Sequence, residues 1–184
     1  MPGFASLGKV RLRAVWLIVL PFFWFAEPTP FLLLVGGTLT LVGIGIRAWS
    51  AGTIHKNEEL TTSGPYAFTR NPLYLGSFLV GVGVSISGGH WIWPAIFVAF
   101  YAVVYSRTIA REARHLRGLF PELYADYAAA VPVFLPRSSP YRPAAPHRTA
   151  TGFRWSQYRR NKEWEAALGA LAAFGLLAAK TIWP

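Results

Sequence analysis

The sequence predicts an all-α integral membrane protein of about five transmembrane helices, and three observations predict it. The 184 residues are 53% hydrophobic and only 14% charged, with a mean hydropathy of +0.34. Apolar stretches approaching the ~20 residues that a span requires recur along the chain. The basic residues also fall on one side. With the N-terminus in the cytoplasm, both far-side loops lack Lys and Arg, and of 18 Lys+Arg only Lys180 lies beyond the last span. This is the positive-inside pattern, and it predicts a multi-pass protein of the bacterial inner membrane or an equivalent.

The first span covers roughly Val15 to Ala26, after the basic Lys9, Arg11 and Arg13, with Pro21 as a kink. It is long and aromatic and has no small-residue cleavage site behind it, so it reads as a retained span rather than a signal peptide. Glu27-Pro28-Thr29-Pro30 turns the chain into a second span, Phe31 to about Trp49, whose Gly36, Gly37, Gly43 and Gly45 suit close helix packing. Polar residues His55 to Thr62 lead into the loop S-G-P-Y-A-F-T-R-N-P. There Asn71 reads as a helix N-cap and Pro72 as the first helical residue.

The third span, Leu73 to Gly88, again carries glycines. Trp91 to Tyr105 forms the fourth, and its helix continues past the membrane through Arg107 to Leu119. A Pro/Ser/Arg-rich linker follows Leu135-Pro136 up to about Gly152. Phe153 to Trp164 mixes aromatic and basic residues as an interfacial amphipathic segment would. Ala166 to Ile182 is the fifth span, which leaves open packing on the core or association with a partner. The chain thus divides into a membrane core over 1–136, with its motifs in 45–136, a linker and interfacial segment over 137–162, and a C-terminal helix over 163–184.

The length suits one domain rather than two. A net charge of +10 in a soluble protein would suggest nucleic acid. Here the basic residues alternate with apolar runs, which points to anionic lipid headgroups and no nucleic acid. The absence of cysteine excludes disulfides, thiolate nucleophiles and Cys-ligated metals. His55, His90, His115 and His147 are scattered without ligand spacing, so no metal site is expected.

Two stretches stand out: Ser63–Tyr74, and Arg111–Leu116 at the end of the fourth helix. Arg70 stands just before a helix N-terminus, a natural seat for a carboxylate or phosphate. Glu112 lies among Arg107, Arg111, Arg114 and Arg117, and helical spacing puts 112, 116 and 119 on one face. The plain reading of Glu112 is a headgroup-level charge cluster, and that of Arg70 a positive-inside anchor. Tyr66, Tyr74, Tyr124 and Tyr127 read equally as an aromatic belt. The sharper reading makes Glu112 a carboxylate facing a cationic ligand.

The combination is more specific than its parts. L-T-T-S-G-P-Y-A-F-T-R-N-P-L-Y-L-G at Leu60–Gly76 is followed by E-x-x-x-L at Glu112–Leu116. F-P-E-L-Y-A-D-Y at Phe120–Tyr127 and V-P-V-F-L-P at Val131–Pro136 complete the series. Together they resemble the isoprenylcysteine carboxyl methyltransferase family, itself related to membrane phospholipid methyltransferases, over roughly Gly45 to Pro136. The resemblance implies a cytoplasmic-side cofactor pocket for S-adenosyl-L-methionine, released as S-adenosyl-L-homocysteine. It places Glu58, Glu59, Leu60, Thr61, Tyr66, Arg70, Asn71, Pro72, Leu73, Tyr74 and Glu112 at that pocket, with Arg70 and Glu112 as the catalytic pair. The donor's carboxylate suits Arg70, while its ammonium and sulfonium suit Glu112 and aromatic faces.

Three positions depart from the family pattern. Asn71 replaces a histidine, Ala113 a second glutamate, and Thr108 the arginine expected for a prenylcysteine carboxylate. Arg107 and Arg111 are the substitutes for that substrate contact, on different helix faces. A prenylcysteine substrate therefore does not follow, and a lipid-like or small amphiphilic acceptor does, methylated on a carboxylate oxygen or an amine. Two rivals remain at this stage, an NADPH-dependent sterol-type reductase and a non-catalytic membrane scaffold.

Overall fold

The computed structural model describes residues 16–55, 58–143 and 152–183. The basic Lys9, Arg11 and Arg13, His147 and much of the linker lie outside the described residues. Within them the chain is helical: α1 (Trp16–Phe25), α2 (Pro30–Thr53), a 3-10 turn (Gly64–Ala67), α3 (Pro72–Ile86), α4 (Ile92–Leu119), α5 (Pro121–Ala130), α6 (Trp155–Arg160) and α7 (Trp164–Ile182).

Prolines set the starts. Pro30, Pro72 and Pro121 each stand in the first helical turn, where a missing N–H costs nothing. Thr29 caps α2, its Oγ1 accepting from Leu32 N–H at 3.3 Å. The five apolar helices occupy the five predicted segments. By length and composition α2, α4 and α7 can each cross a membrane, while α1 and α3 are shorter. Their outer faces carry exposed Leu17, Phe31, Leu34, Leu41 and Leu171, as lipid contact demands.

The central contact is α2 against α3, the largest interface in the structure. Small residues face one another there. A Cβ added to Gly43 would lie 2.7 Å from the Gly76 carbonyl oxygen, and one added to Gly83 would overlap the Gly36 carbonyl and Thr40. The two backbones therefore touch directly. The far end of the bundle is closed by Phe22, Ala26 and Leu177, with Leu33, Val84 and Trp93 around them. Lys180 Nζ donates there to the carbonyls of Phe23 and Trp24, at 3.0 and 2.9 Å.

Helix lengths then position the site. The 15 residues of α3 rise roughly 22 Å and the 28 of α4 about 42 Å, at about 1.5 Å per residue. They meet at one far-end turn, where α3 ends and α4 begins, so α4 overshoots the beginning of α3 by several turns. That overshoot, with α5 folded against it, walls a chamber over the α2–α3 loop.

The fifth span packs on the core. Arg47 of α2 pairs with Glu163 at 2.7 Å, Asn161 Nδ2 donates to Ala51 O at 2.9 Å, and the Phe153 ring lies on Gly52. Of the interfacial amphipathic segment expected over Phe153–Trp164, Trp155–Arg160 is helical, and Lys162 just past its end takes a left-handed φ of 53°.

These contacts predict opposite results for two glycine substitutions. Gly83→Ala should lower the melting temperature in detergent, reflecting about 1–3 kcal/mol of overpacking. Gly175→Ala, where an added Cβ meets nothing within 4 Å, should leave it unchanged or raise it. Equal responses would mean that α2 and α3 are not in backbone contact.

Candidate functional site: a polar cavity and an apolar groove with a common wall

The loop between α2 and α3 is shaped by its own chemistry. Gly64 takes φ +58°, a conformation open to glycine, and starts the G-P-Y-A turn. The turn then meets a strap from further along the chain. Arg70 N–H donates to Pro132 O at 2.9 Å and Thr69 Oγ1 to Phe134 O at 2.9 Å. Arg137 N–H donates to Phe68 O at 2.9 Å. The V-P-V-F-L-P stretch thus holds T-R-N-P in place through its main-chain carbonyls.

Asn71 differs from the expected cap. It stands at the N-cap position of α3, but its side chain caps nothing. Its Nδ2 donates instead to Val133 O at 2.8 Å, so the amide ties the loop to the strap.

Under the strap lies a polar cavity lined by Glu59, Leu60, Thr61, Tyr66, Arg70, Asn71 and Glu112 of the predicted pocket residues. Leu60, Tyr124 and Tyr127 of its wall form one buried cluster with Val131. Glu112 accepts from Tyr74 Oη at 2.9 Å, and the carbonyl of Tyr74 in turn accepts from Tyr101 Oη at 2.6 Å. Arg70 Nη1 donates to Tyr124 Oη at 3.3 Å, and its guanidinium lies 6.0 Å from that ring. Tyr127 Oη donates to Tyr66 O at 2.6 Å. Three buried polar atoms on this cavity, His55 Nε2, Tyr66 Oη and Arg70 Nε, have no partner among the described residues. Buried polar atoms are normally satisfied, so their clustering at one cavity marks a place for a polar ligand.

Other predicted residues are placed elsewhere. Glu58 is exposed, pairs with Arg160 at 2.9 Å and is absent from the cavity wall. Pro72 is buried, and the Leu73 carbonyl accepts from Ser77 and Arg47. Tyr74 acts on the cavity through Glu112. Arg107 and Arg111 are exposed and line neither the cavity nor the groove beside it. The face of α4 that looks inward is Ile109, Glu112, Ala113 and Leu116, with His115 next to it. His55 was passed over in the sequence because its role depends on burial, which no local pattern reveals.

Beside the cavity runs an apolar groove of about 590 Å³ between α3, α4 and the strap, walled by Phe78, Tyr101, Tyr105 and Phe134. Arg70, Asn71, Ile109, Ala113 and Tyr124 line both spaces. A chamber that carries charged and polar groups and an apolar groove therefore meet across one wall.

Comparison with known proteins agrees with this architecture. The phospholipid methyltransferase family model matches residues 31–122, half of the chain. The chain belongs to the phospholipid methyltransferase family. It is a membrane protein. A cobalt-zinc-cadmium resistance protein of Cupriavidus metallidurans is 38% identical over 111 residues, 57% of this chain and 51% of that protein. A nickel-cobalt-cadmium resistance protein of Alcaligenes xylosoxydans is 37% identical over 111 residues, 59% and 50% respectively. The protein-S-isoprenylcysteine O-methyltransferase of Schizosaccharomyces pombe is 29% identical over 82 residues, 45% of this chain and 35% of that enzyme. The chain thus spans about half the length of the first two relatives and about a third of the last. No solved structure matches it significantly. The stretch shared with the phospholipid methyltransferase family includes His55, Tyr66, Arg70 and Glu112, while the strap and the α6–α7 segment lie beyond it.

Burial, and then the Glu112 carboxylate, raise the Tyr66 phenol well above its ordinary value, and burial raises Tyr127 likewise. Both remain protonated donors. A raised folded value contributes stability that is complete below the unfolded value of about 10 and is lost as pH rises through the folded one. The melting temperature should therefore fall as pH is raised above about 10, and fall less for Tyr66→Phe. Parallel pH profiles for the two proteins would refute this.

Proposed function

We propose that the chain is an S-adenosyl-L-methionine-dependent integral membrane methyltransferase. Its acceptor is a lipid-like or small amphiphilic molecule, methylated on a carboxylate oxygen or an amine. The observation that carries the proposal is the wall common to the polar cavity and the apolar groove. A water-soluble donor and a membrane-soluble acceptor need two compartments of opposite polarity that meet at one point.

The residues fit the donor. Arg70, with its unpaired buried Nε, suits a carboxylate, and Glu112, fixed by Tyr74, suits an ammonium. The enclosed part of the cavity is small, about 80 Å³. Typical small-molecule sites are about 300–1,000 Å³, so the loop walls move apart to admit a nucleoside. S-adenosyl-L-methionine supplies an electrophilic methyl group on a sulfonium, and transfer needs little covalent help from protein.

The work of the chain is to hold donor and acceptor about 3–3.5 Å apart and to exclude water. Arg70 and Glu112 orient the donor's amino-acid end. Phe78, Tyr101, Tyr105 and Phe134 give the acceptor's apolar part a dry path from the bilayer. A carboxylate acceptor needs no base, whereas an amine gives up a proton, and Glu112, which lines the cavity next to Ala113 of the common wall, is the candidate to take it. The family's motif order, the charge asymmetry and the position of the loop support a donor site facing the cytoplasm.

Isothermal titration of S-adenosyl-L-homocysteine into the protein in detergent tests the proposal. Wild type should bind in the micromolar range, and Glu112→Gln and Arg70→Ala should each bind about tenfold or more weakly, as loss of a charged hydrogen bond predicts. Unchanged binding in both variants would refute the site. No binding to folded wild type would refute the donor and favour a reductase or a scaffold.

A further inference from the structure

The polar cavity contains one group that the charge-pair reading leaves unused. His55, just past the end of α2, is only 6% exposed. Its Nδ1 lies 3.1 Å from the Thr53 carbonyl oxygen and 3.3 Å from Glu59 Oε1. Both neighbours are acceptors, so Nδ1 donates to them, and in the neutral ring that leaves Nε2 as the acceptor. His55 N–H is anchored as well, donating to Thr61 Oγ1 at 3.3 Å. The ring is thus held at its backbone and at one nitrogen. The other nitrogen is buried at the cavity, with no partner among the described residues.

We propose that His55, oriented by Glu59, is a hydrogen-bond acceptor for an O–H or N–H of the nucleoside half of the methyl donor. This rests on the donor site proposed above. Two observations point to the nucleoside half. The amino-acid half already has charged partners in Arg70, at the end of the loop before α3, and Glu112 on α4. His55 stands on the loop wall beside Ile54 and Leu60, where a neutral acceptor with apolar neighbours suits a ribose hydroxyl or an adenine amino group. His55 lines the donor cavity but not the groove.

The test compares two side chains that divide the imidazole between them. In His55→Asn the amide takes the place of Nδ1 and can still bond Glu59, but nothing replaces Nε2. In His55→Gln an amide oxygen reaches the place of Nε2. Each variant is titrated with S-adenosyl-L-homocysteine and, by competition, with 5′-methylthioadenosine, which keeps the nucleoside and lacks the amino-acid chain.

His55→Asn should weaken both ligands about tenfold, the cost of one buried hydrogen bond, with its melting temperature preserved, and His55→Gln should recover most of the loss. Arg70→Ala should weaken S-adenosyl-L-homocysteine alone. The assignment is overturned if His55→Asn binds both ligands like wild type, if its loss is confined to S-adenosyl-L-homocysteine, or if His55→Gln recovers nothing. Failure of folded wild type to bind S-adenosyl-L-homocysteine removes the donor site itself, a result distinct from any of these.

Discussion

Backbone contact between α2 and α3 is the constraint on which the remainder of the structure depends. Helices with large side chains at their interface stand roughly 8–10 Å apart. Gly36, Gly43, Gly76 and Gly83 remove those side chains, so carbonyls of one helix meet α-carbons of the other. The end of α2 and the start of α3 are thereby drawn together. The loop that joins them has little room to spread and folds over itself, with Gly64 making the sharp turn. Everything polar in the candidate site hangs on that loop or faces it. The arrangement also explains why an arginine is tolerated at Arg47, well inside an apolar helix. Glu163, Ser77 and the Leu73 carbonyl all lie within its reach across a thin interface.

The fold was legible because its signals are local. Apolar runs give the long helices, and the starts of α2 and α3 fall within a residue of the expected ones, whereas the short helix α5 behind Pro121 has no apolar run to announce it. The overshoot of α4 followed from helix propensity continuing through Arg107–Leu119 without a breaker. What failed to show is what depends on distant partners. Asn71 stands at the expected N-cap position, but its amide bonds Val133, 62 positions away, instead of capping. Arg107 and Arg111 were the substitutes for the arginine expected at Thr108, yet both are exposed, and the side of α4 turned inward bears Ile109 and Ala113. Tyr124 and Tyr127 read as a membrane belt and are instead among the most deeply buried aromatic residues. In each case the deciding contact joins α4, α5 or the strap to the α2–α3 loop.

The segment beyond the strap adds to the same loop from behind. Arg154 N–H donates to Gly52 O at 2.8 Å, Asn161 to Ala51 O, and Arg160 meets Glu58. The Arg160–Glu58 pair is exposed and contributes little by itself, since solvent and salt screen it. The backbone contacts are different in kind. They fill carbonyls at the end of α2 that the helix leaves open, where a membrane protein has few waters to spare. A segment outside the family match thus stabilises the turn from which His55 projects.

On the proposed function, the change from glutamate to Ala113 gains a physical meaning. Residue 113 lies on the wall between cavity and groove. A second carboxylate there would sit beside Glu112, and two like charges in a partly buried space would favour protonation of one of them. Alanine avoids that conflict and keeps the groove side of the wall apolar. The polar demand of the donor is then carried by Glu112 with Tyr74, by Arg70 with Tyr124, and by the Tyr66 phenol. The acceptor meets aromatic and aliphatic surface up to the point of transfer. Such a division favours an acceptor whose reacting group is polar but whose approach is made through hydrocarbon. The selectivity of the site then comes from the shape of the groove more than from a charge placed to recognise a headgroup.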